Sequence, residues 1–136
     1  MQKLEIAGTV TTPEIILAPE DNLFRIRGNS APEDVRELYY PIIEWIKLFT
    51  DDILEGVITD YNEENPFKFQ IDLEYFNSSS AKFLYDILFE LLRLHQAGVP
   101  VIVEWYYDKE DHDMKEAGKD ISALADMEFT FIAKTG

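Results

Sequence analysis

The sequence contains no cysteine, only two histidines, and no apolar run approaching the roughly 20 residues that a membrane-crossing helix requires. The first absence excludes a disulfide framework, a thiolate nucleophile and a cysteine-ligated metal, and it suits a reducing compartment. The second leaves a hydrolase triad with little to build on. Basic residues are scarce too. Twelve Lys and Arg stand against 27 Asp and Glu, for a formal net charge of −15. A chain so charged is repelled by nucleic acid and by anionic membrane surfaces, which makes basic protein surfaces the expected partners. The six glycines are scattered, and none falls in a GxGxxG or GxxxxGK pattern, so a glycine-rich phosphate cradle is missing. The opening MQKLEIAGTV lacks the apolar core of a signal peptide. These absences together lead us to expect a cytoplasmic protein with no nucleic-acid partner, no membrane insertion, no cofactor and no metal.

What is present is a large apolar complement. Hydrophobic residues make up 46% of the 136 positions, with seven Tyr, nine Phe and two Trp, so the chain reads as one globular domain over residues 1–136. A domain of this size buries roughly two-thirds of the surface its unfolded chain exposes. Residues 67–98 organise the rest. Phe67, Phe69, Ile71, Leu73 and Tyr75 alternate with Lys68, Gln70, Asp72 and Glu74, the period of a strand with one buried and one wet face. Lys68, Gln70, Asp72 and Glu74 are therefore expected to be substantially exposed. After Ser80 the period becomes helical: Phe83, Leu84, Ile87, Leu88, Leu91, Leu92 and Leu94 form an apolar stripe that ends at Gly98. Between strand and helix stand Asn77, Ser78, Ser79 and Ser80, small polar residues suited to capping the first helical turn at the positive end of its dipole.

The remaining elements follow in chain order. Residues 4–6 suggest a short edge strand, and residues 14–18 and 23–28 a β-hairpin around the turn signal Pro19-Glu20-Asp21-Asn22. Ser30 and Glu33 stand at capping-box spacing with Pro32 in the first turn, which predicts a helix start there. Val35, Leu38, Tyr39, Ile42, Trp45, Ile46 and Phe49 continue at helical spacing, and Pro41 inside that pattern is expected to kink or split the helix. Residues 51–64 carry six acids and no base, read as a frayed helix end and a solvated loop. Residues 99–107 form another strand, so the strand-helix-strand order implies a right-handed parallel crossover. One or two short acidic helices over 108–125 and a last strand over 128–134 complete the chain. Because the central strand alternates, a doubly wound sheet with both faces covered is disfavoured. The expected architecture is α/β, a mixed sheet of four to six strands with helices mainly on one face.

Several residues invite a chemical reading beside a structural one. Asp111, His112 and Asp113 have the composition of a metal cluster, but carboxylates at a helix N-terminus are expected from the dipole alone. His95, late in the long helix, reads as a C-terminal cation or a packing residue. Asp72 and Glu74 share one side of their strand, an arrangement open to an acid and base pair, though the strand period already accounts for it. The serine turn has simple capping as its structural reading, yet one cap does not use three hydroxyls. A small acidic enzyme built on Asp72 and Glu74 or on the Asp111 to Asp113 cluster, and a purely structural interaction module, both stay open at this level.

A wider pattern runs nearly end to end. It comprises Gly8-Thr9 with Thr12-Pro13, Gly28-Asn29-Ser30-Ala31-Pro32-Glu33, Tyr40-Pro41-Ile42 before Trp45, and Tyr75-Phe76-Asn77-Ser78-Ser79-Ser80 with Lys82. Trp105-Tyr106-Tyr107-Asp108, Gly118, Phe129 and Phe131 continue it. In these residues the chain resembles the SiaC family of bacterial regulatory phosphoproteins, small acidic domains similar in fold to the STAS domain of anti-sigma-factor antagonists. The resemblance implies a non-enzymatic partner switch. In the family the second position of the Asn-hydroxyl-Ser-Ser turn, usually threonine, is the phosphorylation site, which carries over to Ser78. Asn77, Ser79, Ser80 and Lys82 then belong to the turn and the partner-binding surface. The implied partners are a serine/threonine protein kinase, a PP2C-like phosphatase, and a target that in the known pathway is a diguanylate cyclase, which places the protein in cyclic di-GMP signalling and biofilm regulation.

Overall fold

The computed structural model describes residues 1–135. Turn chemistry and period-two patterning produce an antiparallel meander first: β1 (Leu4–Ile6), β2 (Glu14–Ala18) and β3 (Leu23–Ser30). The β2–β3 connection is a single 3-10 turn over Pro19–Asp21, closed by Asn22 in the left-handed region. Three crossovers follow, each with its own helix: α1 (Val35–Leu54) leads to β4 (Phe67–Phe76), α2 (Ser78–Gln96) to β5 (Val101–Asp108), and α3 (His112–Ala125) to β6 (Thr130–Lys134). The pairs β3–β4, β4–β5 and β5–β6 are parallel, so the six strands form one mixed sheet in the order of the chain. Every crossover steps in the same direction along that sheet. Connections of one hand then bring all three helices to the same face.

The covered face holds the core. Ile15, Leu17, Phe24, Ile26, Phe69, Ile71, Leu73 and Val103 point from the sheet toward Tyr39, Ile42, Ile46 and Phe49 of α1 and Leu84, Ile87, Leu88 and Leu91 of α2, and Trp105 points toward Met114 and Gly118 of α3. The opposite face carries Glu14, Arg25, Arg27, Lys68, Gln70, Asp72 and Glu104, as the alternation in β4 requires. Gln70 and Asp72 are nevertheless half-buried rather than substantially exposed. Lys134 Nζ reaches from β6 to 2.6 Å from Asp72 Oδ1, and Gln70 Nε2 donates to Glu104 and to the Tyr106 hydroxyl, so neighbouring strands shield them.

Other expectations are corrected. Ser30 does not cap α1: it is the last residue of β3 and fully buried, and Asp34 caps the helix by accepting from Glu37 N–H at 3.1 Å. The helix is not split at Pro41, which lies on its exposed side between the buried Tyr39 and Ile42. Nor does it fray at Asp51, because Arg93 pairs with that carboxylate at 2.9 Å and Ile53 is buried. Tyr75 leaves the buried face. The β3–β4 register slips so that Gly28 faces Leu73 and Asn29 faces Tyr75, which makes Glu74 the extra residue of a bulge. Gly28 has φ of +117°, a conformation that favours glycine. Residues 112–125 form one helix, and the last strand starts at Thr130 rather than 128.

Candidate functional site

The bulge sets up the turn that follows. Past Glu74 the inward and outward positions exchange, so Tyr75 is exposed while Phe76 turns in against Trp105, edge to face with ring centroids 6.0 Å apart. Asn77 comes next with extended backbone (φ −89°, ψ 174°), and its side chain accepts from Ser80 N–H at 2.9 Å, the geometry of an N-cap. Ala81 N–H bonds the Asn77 carbonyl at 3.0 Å. Ser78 and Ser79, the first two residues of α2, are exposed, and no acidic residue stands in the first turn. Their hydroxyls sit beside the positive end of a 19-residue helix.

Ser80 behaves differently from its neighbours. It has no exposed surface, and its hydroxyl donates to the Ser30 carbonyl at 3.0 Å. Ser30 Oγ donates to Ser80 Oγ at 2.8 Å and lies 2.6 Å from the Tyr39 hydroxyl. Since the single Ser30 proton is used toward Ser80, Tyr39 must be the donor of the remaining bond. Tyr39 is fully buried, its ring stacked on Phe83 at 5.5 Å. Burial pushes its phenol pKa up, partly opposed by the hydrogen bonds with Ser30 and Ser80. The Ser30 carbonyl also accepts from Asn77 N–H at 3.0 Å. One carbonyl at the end of β3 thereby holds both the first and the last residue of the turn.

The model of the SiaC family regulatory phosphoprotein matches residues 6–134. The chain belongs to the SiaC family. An uncharacterized protein of Pseudomonas aeruginosa (strain UCBPP-PA14) is 32% identical over 120 residues, spanning 88% of this chain and 87% of the relative. The crystal structure of apo-SiaC from Pseudomonas aeruginosa superposes with a TM-score of 0.81 at 30% identity, covering 98% of this chain and 100% of that one. SiaC from the same organism has also been solved in complex with the diguanylate cyclase SiaD, which it activates. That SiaC chain matches with a TM-score of 0.79 at 30% identity over 98% of this chain and 99% of its own.

In this SiaC-family chain the other candidate residues lie apart from the turn or serve structure. Lys82, one turn along α2, is exposed, with its ammonium 3.3 Å from Asp86 and 4.6 Å from the centre of the Phe83 ring. Ser79 makes no side-chain hydrogen bond among the described residues. Asp72 is tied to Lys134, whereas Glu74 is exposed at the bulge, so the two do not share a site. Asp111 caps α3 by accepting from Met114 N–H at 3.0 Å, and His112 and Asp113 are exposed. Among the described residues, no group of three or more histidine or carboxylate side chains is gathered as a metal site. His95 is exposed in the last turn of α2. Sequence reasoning missed Tyr39 and the true role of Ser30. Tyr39 falls on the apolar stripe of its helix, and nothing local to Ser30 signals a partner 50 residues away. It also missed the groove of about 490 Å³ between α1 and α2, lined by Tyr40, Ile43, Leu48, Lys82 and Phe83 among others.

Proposed function

We propose that this chain is a non-catalytic cytoplasmic switch that binds and activates a diguanylate cyclase while Ser78 is unmodified, and that phosphorylation of Ser78 by a serine/threonine kinase weakens that binding. A PP2C-like phosphatase resets it. The carrying observation is that Ser78 stands exposed as the first residue of α2, beside the Asn77 cap, in a family one of whose members has been solved with the cyclase it activates. A phosphate there adds about −1.5 to −2 charges next to a helix N-terminus, where the fold tolerates it. A partner packed over the turn has to desolvate the dianion. A cost of only about 2.7 kcal/mol weakens binding a hundredfold, so one group suffices. Lys82 is the nearest cation in sequence, but at an exposed site already shared with Asp86 its contact with the phosphate is worth little.

The test begins with peptide mapping of residues 75–82 in protein purified from its own host, followed by titration of modified and unmodified forms against a diguanylate cyclase of that host. The expected results are phosphate on Ser78 and a large loss of affinity on modification. Ser78→Ala should bind constitutively, and Ser78→Asp should weaken binding only in part, since a carboxylate brings one charge. Equal affinity of the two forms, or modification found only on Ser79 or Ser80, overturns the assignment.

A further inference from the structure

Three hydroxyls from three separate elements are buried together under the serine turn: Ser30 at the end of β3, Tyr39 in α1 and Ser80 in α2, each without exposed surface. Helix capping does not require them, because Asn77 already satisfies Ser80 N–H. Apolar side chains at all three positions would spare the chain the cost of burying hydroxyls. The donors run in one direction, from Tyr39 to Ser30 Oγ, from Ser30 Oγ to Ser80 Oγ, and from Ser80 Oγ to the Ser30 carbonyl. That carbonyl also receives Asn77 N–H. The turn is pinned at Asn77 and at Ser80, and the two residues between the pins are the exposed Ser78 and Ser79.

We propose that Tyr39, Ser30 and Ser80 are positioning residues which clamp the turn so that Ser78 is presented to a modifying enzyme while Ser80 is withheld. The functional half of this inference rests on the reading of Ser78 given above; the structural half, the clamp itself, does not. The clamp accounts for a feature that capping alone leaves without purpose. Three consecutive serines at a helix N-terminus offer a kinase three similar hydroxyls, and burying the third while fixing the backbone on either side of the first two narrows the choice. Tyr39 supplies the far end of the clamp. Its hydroxyl orients Ser30 Oγ as a donor toward Ser80, so it acts on the turn chiefly through Ser30.

The experiment uses the full chain with two substitutions that delete a single oxygen, Tyr39→Phe and Ser80→Ala, each compared with wild type by two readouts. Amide hydrogen exchange reports the clamp directly. We expect exchange over residues 77–81 to rise roughly five- to tenfold in both variants, the effect of losing one hydrogen bond, with the β1–β2 meander unchanged. Phosphopeptide mapping of the same proteins purified from the host reports the consequence. We expect Ser78 occupancy to fall several-fold in both variants and part of the phosphate to appear on Ser80 in Tyr39→Phe. Because a general loss of stability would also expose Ser80, the redistribution counts for the clamp only together with exchange that rises at residues 77–81 and not elsewhere. Unchanged exchange at the turn, or exchange that rises equally throughout the chain, overturns the clamp. Faster exchange at the turn with phosphate still confined to Ser78 at wild-type occupancy overturns its role in presentation. Wild-type protein carrying no phosphate on Ser78 refutes the Ser78 reading instead, and the exchange data alone then decide the clamp.

Discussion

Gly118, in the middle of α3, faces the indole of Trp105, and a methyl group there is expected to be destabilising although glycine-to-alanine changes inside helices normally stabilise by up to about 1 kcal/mol. A Cβ at this position lies 2.5 Å from Trp105 Nε1, 2.6 Å from Cδ1 and 2.7 Å from Cε2, far inside ordinary van der Waals contact. The ring has nowhere to go. Trp105 is fully buried, stacked on Phe129 at 5.9 Å, edge to Phe76 at 6.0 Å, and its Nε1–H donates to the Met114 carbonyl at 3.0 Å. Either α3 lifts from the sheet or the indole turns and strands its N–H. Overpacking costs about 1–3 kcal/mol and a stranded buried donor about 1–3 kcal/mol. Crowding applies either way and the stranded donor adds to it when the indole turns, so after about 1 kcal/mol of helix-propensity gain is subtracted Gly118→Ala should lose up to about 2 kcal/mol in the first case and about 1–5 kcal/mol in the second. Urea unfolding followed by circular dichroism measures this, with an unchanged m-value showing that the loss is in stability. Trp105→Phe in the Gly118→Ala background should recover part of it, because the two sites are in contact and their effects are not additive. An alanine variant as stable as wild type, or more so, refutes the reasoning.

Further outcomes follow from the turn and the buried phenols. Ser30→Ala leaves the Tyr39 hydroxyl buried without its acceptor and should cost about 1–3 kcal/mol, whereas Tyr39→Phe removes only a donor and should cost about 0.5–1.5 kcal/mol. The double variant should then be no worse than Ser30→Ala alone, and additive losses in chemical denaturation contradict the donor directions assigned here. Asn77→Ala removes the α2 cap and should lower stability by about 0.5–2 kcal/mol, measurable as a lower denaturation midpoint; no shift means that a neighbouring serine caps equally well. Tyr61 is pushed up to about 12, chiefly by burial and secondarily by the Asp60 charge, and burial also raises Tyr39. A phenol with a raised folded pKa contributes stability that is complete below its unfolded value of about 10 and is lost as pH rises through the folded value. Stability should therefore decline between about pH 10 and 12, with Tyr39 and Tyr61 ionising late in a spectrophotometric titration. Ionisation of all seven tyrosines together near the ordinary value, in protein that remains folded, refutes this.

The elements and their types were legible because helices and strands announce themselves over a few neighbouring residues. The alternation in β4, the apolar stripe of α2 and the Asn77 turn between them depend on contacts within one element, and the order of strands and helices implied a parallel crossover. A one-sided sheet was legible too, since a wet face on a central strand leaves no place for a second layer. Where sequence reasoning failed, the deciding partner lay far along the chain. Ser30 and Glu33 have the spacing of a capping box, but the Ser30 hydroxyl is held by Ser80 and Tyr39, and Asp34 is left to cap α1. Asp72 sits on a wet face and is still half-buried, because Lys134, 62 residues away, closes over it.

For the candidate site, the sequence by itself determined that three hydroxyls stand at the start of a long helix behind an asparagine cap, in a chain of the SiaC family. It did not determine which of them reaches solvent. That was decided by the pairing of β3 with β4, whose bulge at Glu74 turns Phe76 inward and brings the Ser30 carbonyl against both ends of the turn. Residues of one helical turn all look alike to local propensity. Only the placement of β3 and α1 beside them makes Ser80 a buried donor and leaves Ser78 and Ser79 in water, because a hydroxyl is buried where another element supplies its hydrogen-bond partners and exposed where none does.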